Sequence, residues 1–183
     1  MSGYHPFEGE FVRLRAREPG DAEAVQRWLD TDVVHFNEAR YPWSLADVRK
    51  RSGEGSEPTF GHARFAVERK SDGQLIGDVA IHEASPENRA GWLALVFGPD
   101  ARGQGFGSDA LRVLCRFAFE MMNLNRLELE YVGSNDRARR VYEKAGFREE
   151  GRRRDAYFIL GRYEDAVVMG LLRADFCAGG VAV

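Results

Sequence analysis

The 183-residue sequence predicts an α+β (mixed α/β) fold, with helices packed on the faces of a mixed sheet. Three observations predict it. Segments with strand patterning and segments with helical patterning alternate along the chain as strand, two helices, three strands, helix, strand, helix, two strands. The composition, 44% hydrophobic and 30% charged, is that of a globular chain long enough to bury a core without disulfides or metal. No internal repeat, low-complexity tract or linker divides it, so residues 1–183 read as a single domain with its core at about 11–172.

Residues 11–17 alternate Val12, Leu14 and Ala16 with Arg13, Arg15 and Arg17, as a half-buried strand does. Pro19-Gly20-Asp21 breaks it and starts a helix to Leu29, with Ala22, Val25, Trp28 and Leu29 on one face. Residues 31–43 are irregular and aromatic. Ser44 reads as the N-cap of a short helix to about Lys50, with Asp47 completing a variant capping box. Residues 52–61 are rich in Gly, Ser and Pro and read as a loop. Residues 65–68, the turn Ser71-Asp72-Gly73 and residues 74–82 form a hairpin pattern. Residues 92–97 are an apolar run expected of a central strand buried on both faces. A long helix is expected over 105–122, with Ala110, Leu111, Leu114, Phe117, Ala118 and Met121 on its apolar face. Residues 126–132 alternate as a strand. Residues 135–145 read as a helix capped by Gly146, followed by closing strands at 147–157 and 162–172 and a frayed tail.

The net charge of −3 leaves no basic excess for many phosphates, which argues against nucleic acid as a partner; a mild acidic balance suits a cationic ligand. Cys115 and Cys177 lack CxxC spacing or a histidine cluster, so no metal site is expected, and two reduced thiols fit a cytoplasmic protein. The first eleven residues have no signal-peptide pattern, and no apolar run is long enough to span a membrane.

The most informative segment is Arg102-Gly103-Gln104-Gly105-Phe106-Gly107, set between an apolar strand and a long helix. Its glycines permit positive φ and close approach of a ligand, and the helix start offers unpaired N–H groups to an anion such as pyrophosphate. Arg102 adds a possible charge-assisted contact. Besides a plain glycine-rich turn, two other phosphate loops compete. Gly103-x-Gly105 matches half of a dinucleotide fingerprint, but Ser108 stands at the third glycine, and no Gly-Lys-Ser/Thr makes a Walker loop. Downstream, Asn135, Ala138 and Tyr142 share one helix face and are followed by Gly146-Phe147.

Arg102-x-x-Gly105-x-Gly107 resembles the acyl-CoA pyrophosphate motif of the GNAT N-acetyltransferase superfamily, and Asn135-x-x-Ala138-x-x-x-Tyr142-x-x-x-Gly146-Phe147 resembles its second motif. Within it the chain looks like the RimJ/RimL-like branch, with the resemblance running from about Phe11 to Leu172. It implies a GNAT-like fold, a central mixed, mostly antiparallel sheet flanked by helices, and direct transfer of acetyl from acetyl-CoA to an amine of a small molecule or a protein N-terminus. It implies that the backbone of Val96 and Phe97 pairs with the pantetheine arm, beside a cofactor wedge between strands. It also implies that the loop Arg102, Gly103, Gln104, Gly105, Phe106 and Gly107 holds the pyrophosphate, and that Asn135 and Ala138 border the arm. Tyr142 would be the general acid for the leaving thiolate, and relatives often pair as homodimers.

Acyl transfer to an amine needs a positioned thioester, a neutral amine, a donor to the oxyanion and a proton for the thiolate. A phenol at Tyr142 suits the last task, whereas Asn135 also suits an N-cap. No carboxylate lies in residues 92–97, where many relatives carry a glutamate base, so His82, Glu83 and Asp78 are the candidates, or a water chain. Arg148, Arg152, Arg153 and Arg154 read as a solvated strand face balanced by Glu149 and Glu150, with phosphate binding as the alternative. The aromatic stretch of Trp28, His35, Phe36, Tyr41 and Trp43, with Asp30, Asp32 and Glu38, lies where the resembled family shapes its acceptor pocket. Two other readings keep the fold: use of another acyl-CoA such as succinyl-CoA, and a non-catalytic acyl-CoA-binding protein.

Overall fold

The computed structural model describes residues 5–31, 43–53 and 58–178. The strands are β1 (Val12–Arg15), β2 (His62–Arg69), β3 (Leu75–Ser85), β4 (Ala90–Phe97), β5 (Arg126–Val132), β6 (Arg148–Ile159) and β7 (Arg162–Leu172). The helices are α1 (Ala22–Thr31), α2 (Leu45–Gly53), α3 (Phe106–Arg116), α4 (Asp136–Lys144) and α5 (Arg173–Ala178). The seven strands form one sheet in the order β1-β2-β3-β4-β5-β7-β6. Every neighbouring pair is antiparallel except β4 with β5. That parallel pair needs a crossover, which α3 supplies.

Alternation along the strands divides the residues between two faces. Val79 and Ile81 of β3, Leu93 of β4, and Leu127 and Leu129 of β5 join Leu111 and Leu114 of α3 in the core. Asp78 and His82 of β3 and Trp92 of β4 alternate with them and border a cavity that Trp28 of α1 and Val48 of α2 also line. The N-terminal segment is tied to the crossover by one buried carboxylate. Asp109 of α3 accepts the backbone N–H groups of Glu10, Phe11 and Val12 at 3.1, 2.7 and 3.1 Å, and pairs with Arg112 at 2.5 Å. Sequence patterning gave no sign of this long-range anchor.

Several local expectations hold. Ser44 Oγ accepts the N–H of Asp47 at 3.1 Å and Asp47 Oδ2 accepts that of Ser44 at 3.3 Å, a reciprocal cap. Asn135 caps α4 by accepting the Ala138 N–H at 3.1 Å, and Gly146 ends it at φ +96°.

Two expectations are corrected. The strand at 92–97 is not buried on both faces: Ala94 is exposed and Leu95, Val96 and Phe97 are half-buried. Pairing of β4 with β5 spans only Ala90, Gly91 and Trp92 against Arg126, Leu127 and Glu128, and beyond it the strands part. The helix over 105–122 is not α-helical throughout, because a π-helical turn continues it over Phe117–Met121. Its wider turn shifts the apolar stripe, burying Phe119 and leaving Met121 55% exposed. Beyond β7, α5 buries Phe176 against Phe119 with ring centroids 5.3 Å apart; the small last residues expected to fray, 179–183, lie outside the described residues.

Candidate active site

The splay of β4 from β5 opens two cavities that meet. One, of about 330 Å³, is a groove bordered by Val96 and Phe97 of β4, the loop before α3, and the first turns of α4. The other, of about 680 Å³, lies under α1 and α2 and reaches across the sheet to β5 and β6. Leu95, Val96, Asn135, Ala138 and Tyr142 line both, so a molecule in either one meets the other beside Tyr142.

The groove is built from local sequence. Gly103 and Gly105 take φ +76° and +88°, and a Cβ at either would meet nothing within 4 Å, so the space above them is open to a ligand. Gly105 is the N-cap of α3, whose first N–H groups point into that space with the positive end of the helix dipole. Arg102 donates from Nε and Nη2 to the Phe97 carbonyl at 3.0 and 2.9 Å, locking the end of β4 to the loop. One sequence expectation for the loop is corrected: Gly107 is not at positive φ. The side chains of two loop residues turn away from the groove, the Gln104 amide onto the Asp100 carbonyl at 2.5 Å and the Phe106 ring into the core, so any contact they make to a ligand in the groove comes from their backbone.

Tyr142 stands in α4 with its ring 5.6 Å from that of Tyr131 and 6.2 Å from that of Phe147. Burial, and then the neighbouring Tyr131, push its phenol up to about 12, so it is a proton donor throughout the neutral range.

The larger cavity holds the sequence-derived base candidates on its wall. His82 is half-buried, with Nδ1 3.8 Å from Oε1 of Glu83. Glu83 itself is exposed, on a left-handed backbone (φ +52°) at an irregularity in the β3–β4 pairing. Asp78 is committed elsewhere. Its carboxylate takes Arg64 at 2.6 Å and Arg17 at 3.0 Å; burial raises its pKa above the ordinary carboxylate value, and the two guanidiniums oppose that rise. Trp28, Trp43 and Trp92 also line the wall. Asp32, His35, Phe36, Glu38 and Tyr41 lie outside the described residues, as do the side chains of Asp30 and Cys177.

Sequence reasoning missed Glu130 of β5, which faces the cavity and accepts both the Tyr157 hydroxyl and the Arg153 guanidinium. Its place in an alternating strand was legible, but its partners come from β6, more than twenty residues on. The basic run reads mostly as surface pairing: Arg148 meets Asp175 at 3.2 Å and Arg152 meets Glu149 at 2.7 Å, while Arg153 reaches the cavity. Cys115 is fully buried, and burial pushes its thiol well above the ordinary range, which makes it inert. Among the described residues no cluster of three or more His, Cys, Asp or Glu side chains is placed to hold a metal ion. Nor is any helix among the described residues long and apolar enough to cross a membrane.

A mixed sheet parted at one strand pair, with a glycine loop at a helix start on one side and a half-buried phenol where two cavities join, defines an acyl-CoA-dependent acyltransferase. The chain belongs to the GNAT acetyltransferase family, whose domain matches residues 12–148. It is an N-acetyltransferase, moving the acetyl group of acetyl-CoA to an amine. The chain is 31% identical to the spermidine N(1)-acetyltransferase of Vibrio cholerae serotype O1, over 90% of this chain and 95% of that protein. It is 32% identical to the putative ribosomal N-acetyltransferase YdaF of Bacillus subtilis, over 57% of each. The crystal structure of Vibrio cholerae spermidine N-acetyltransferase in complex with CoA and spermine superposes with a TM-score of 0.80 at 26% identity, covering 90% of this chain and 97% of that one.

Proposed function

We propose that the 330 Å³ groove takes acetyl-CoA, that the 680 Å³ cavity takes a small cationic amine, and that transfer occurs where they join at Tyr142. The shared lining at Tyr142 carries this reading. The N–H groups at the start of α3 receive the pyrophosphate. The edge of β4 that has parted from β5, at Val96 and Phe97, hydrogen-bonds the pantetheine arm as an added strand would, beside the Arg102 guanidinium on the Phe97 carbonyl. Asn135 and Ala138 border the arm. Bound there, the donor supplies an activated thioester carbonyl. His82 takes a proton from the amine nitrogen as that nitrogen bonds to the carbonyl carbon, and Glu83 orients the imidazole. Tyr142 gives its proton to the sulfur as the C–S bond breaks, and solvent returns the proton from His82 to Tyr142.

The indoles of Trp28, Trp43 and Trp92, with the carboxylate of Glu83, suit an ammonium-bearing chain. Similarity to spermidine acetyltransferases supports a polyamine-like acceptor. Similarity to YdaF supports the RimJ/RimL-like branch and, as a second reading, a protein N-terminus as acceptor. We further assign the whole chain to one acetyltransferase domain and, as an acetyl-CoA user, to the cytoplasm. A homodimer is the proposal for the edge strand β6, whose hairpin with β7 exposes Phe158, Leu160 and Tyr163.

Thermal unfolding with acetyl-CoA, CoA, succinyl-CoA and NAD in parallel tests the donor. At about a hundred times its dissociation constant the true ligand adds roughly 2.7 kcal/mol. A shift with acetyl-CoA and none with NAD is expected, whereas no shift with any CoA species would remove the donor assignment. Turnover with peptides but not with di- or polyamines would replace the small-amine acceptor by a protein N-terminus.

A further inference from the structure

We propose that Arg137 is a second phosphate-binding residue, gripping the nucleotide end of the acyl donor from α4, across the groove from the glycine loop. The inference rests on reading the 330 Å³ groove as the donor site. Arg137 is in the first turn of α4, two residues after the Asn135 cap, and it lines the groove together with Arg102. None of the other described residues lining the groove is acidic. Both α3 and α4 begin here, with Gly105 and Asn135 as their N-caps, so the positive ends of two helix dipoles add to the two guanidiniums.

This arrangement is unfavourable in the empty protein. A cation in the first turn of a helix opposes the dipole, where one in the last turn would complement it. The charge of Arg137 also acts, after burial, to lower the pKa of Arg102. Neighbouring Arg139 on the same helix is compensated by Asp136 at 3.2 Å, but Arg137 has no hydrogen bond or ion pair to another described residue. The chain as a whole carries −3, so the groove concentrates positive potential on a mildly acidic molecule. A phosphate relieves all of these terms at once, and a guanidinium can meet two of its oxygens side by side.

The test measures dissociation constants of CoA and of phosphate-free pantetheine by calorimetry, at low and high salt, for the wild type, Arg137→Gln and Arg137→Lys. Arg137→Gln is expected to weaken CoA about tenfold, the loss of one charged hydrogen bond, and to leave pantetheine unchanged. Arg137→Lys should recover part of the loss. CoA binding should weaken less with salt in Arg137→Gln than in the wild type. The side chain is exposed, so thermal midpoints without ligand should agree among the three proteins. Equal CoA affinity and equal salt dependence in the wild type and Arg137→Gln would overturn this inference alone. A wild type that binds no CoA would instead overturn the donor-site reading beneath it.

Discussion

The two cavities that meet at Tyr142 are built in opposite ways. The smaller groove comes from two short stretches, residues 95–108 and 135–142, and its conformation follows from glycines, a helix start and an N-cap. The larger cavity draws its lining from β2, β3, β4, β5, β6, α1, α2 and α4, and two of its carboxylates are held by partners distant in sequence: Asp78 by Arg17 and Arg64, Glu130 by Arg153 and Tyr157. The groove offers backbone N–H groups of a kind that suits an anion, whereas the cavity presents side chains, two of whose carboxylates are already paired. Donor binding should therefore respond to local backbone changes, and acceptor binding to the breaking of long-range ion pairs.

The largest test lies where the two regions join. Tyr142→Phe keeps the ring packing against Tyr131 and Phe147 and removes only the hydroxyl, and with it the proton donor. Steady-state kinetics should show kcat falling on the order of 10²-fold or more, with acetyl-CoA affinity unchanged. Unaltered kcat would sink the general-acid role.

Asp78→Asn separates the regions in the other direction. It leaves Arg17 and Arg64 without their shared carboxylate in a site where Asp78 is only 8% exposed. Denaturant unfolding should show a loss on the order of 3 kcal/mol. The acceptor KM should rise while that for acetyl-CoA holds; a rise in both would mean that the two cavities are mechanically coupled.

Gly105→Ala should do the reverse. A Cβ there meets no atom, so the cost is the left-handed backbone at φ +88°, about 1–2 kcal/mol. The methyl also projects toward the groove, so calorimetry should find weaker acetyl-CoA binding and kinetics an unchanged acceptor KM.

The smallest effect is a pH dependence. Tyr142 and Tyr157 are both pushed up to about 12, Tyr142 by burial and Tyr131, Tyr157 by burial and its bond to Glu130. In the unfolded chain a phenol ionises near its ordinary value of about 10. Their contribution is thus fully present below about pH 10 and is lost as pH rises through about 12. Unfolding midpoints measured from pH 8 upward should fall above 10, and less steeply in Tyr142→Phe; parallel curves would refute the assignment.

How much was legible follows the same division. The Ser44–Asp47 cap, the Asn135 cap and the left-handed Gly146 were all readable because each satisfies backbone groups within a few residues. The glycine loop was readable as an anion site, but the fate of each side chain was not: Gln104 folded back onto Asp100, and Phe106 turned into the core. Glu130 was invisible as a site residue because an alternating strand shows which residues share a face but not what that face will meet.

By itself, the sequence determined the order of the elements from β1 to β7, the caps that start and end them, and the glycine turn and helix start of the segment before α3. These depend on backbone geometry and on hydrogen bonds that close within a turn or two. Tertiary structure alone decided that β4 would leave β5 after Trp92, that a π-helical turn would swing Phe119 inward, and that Asp78 and Glu130 would be bound by arginines and a tyrosine from other strands. Each of those outcomes is set by which surfaces are pressed together when the sheet closes, and a periodic pattern along one segment carries no record of its neighbours.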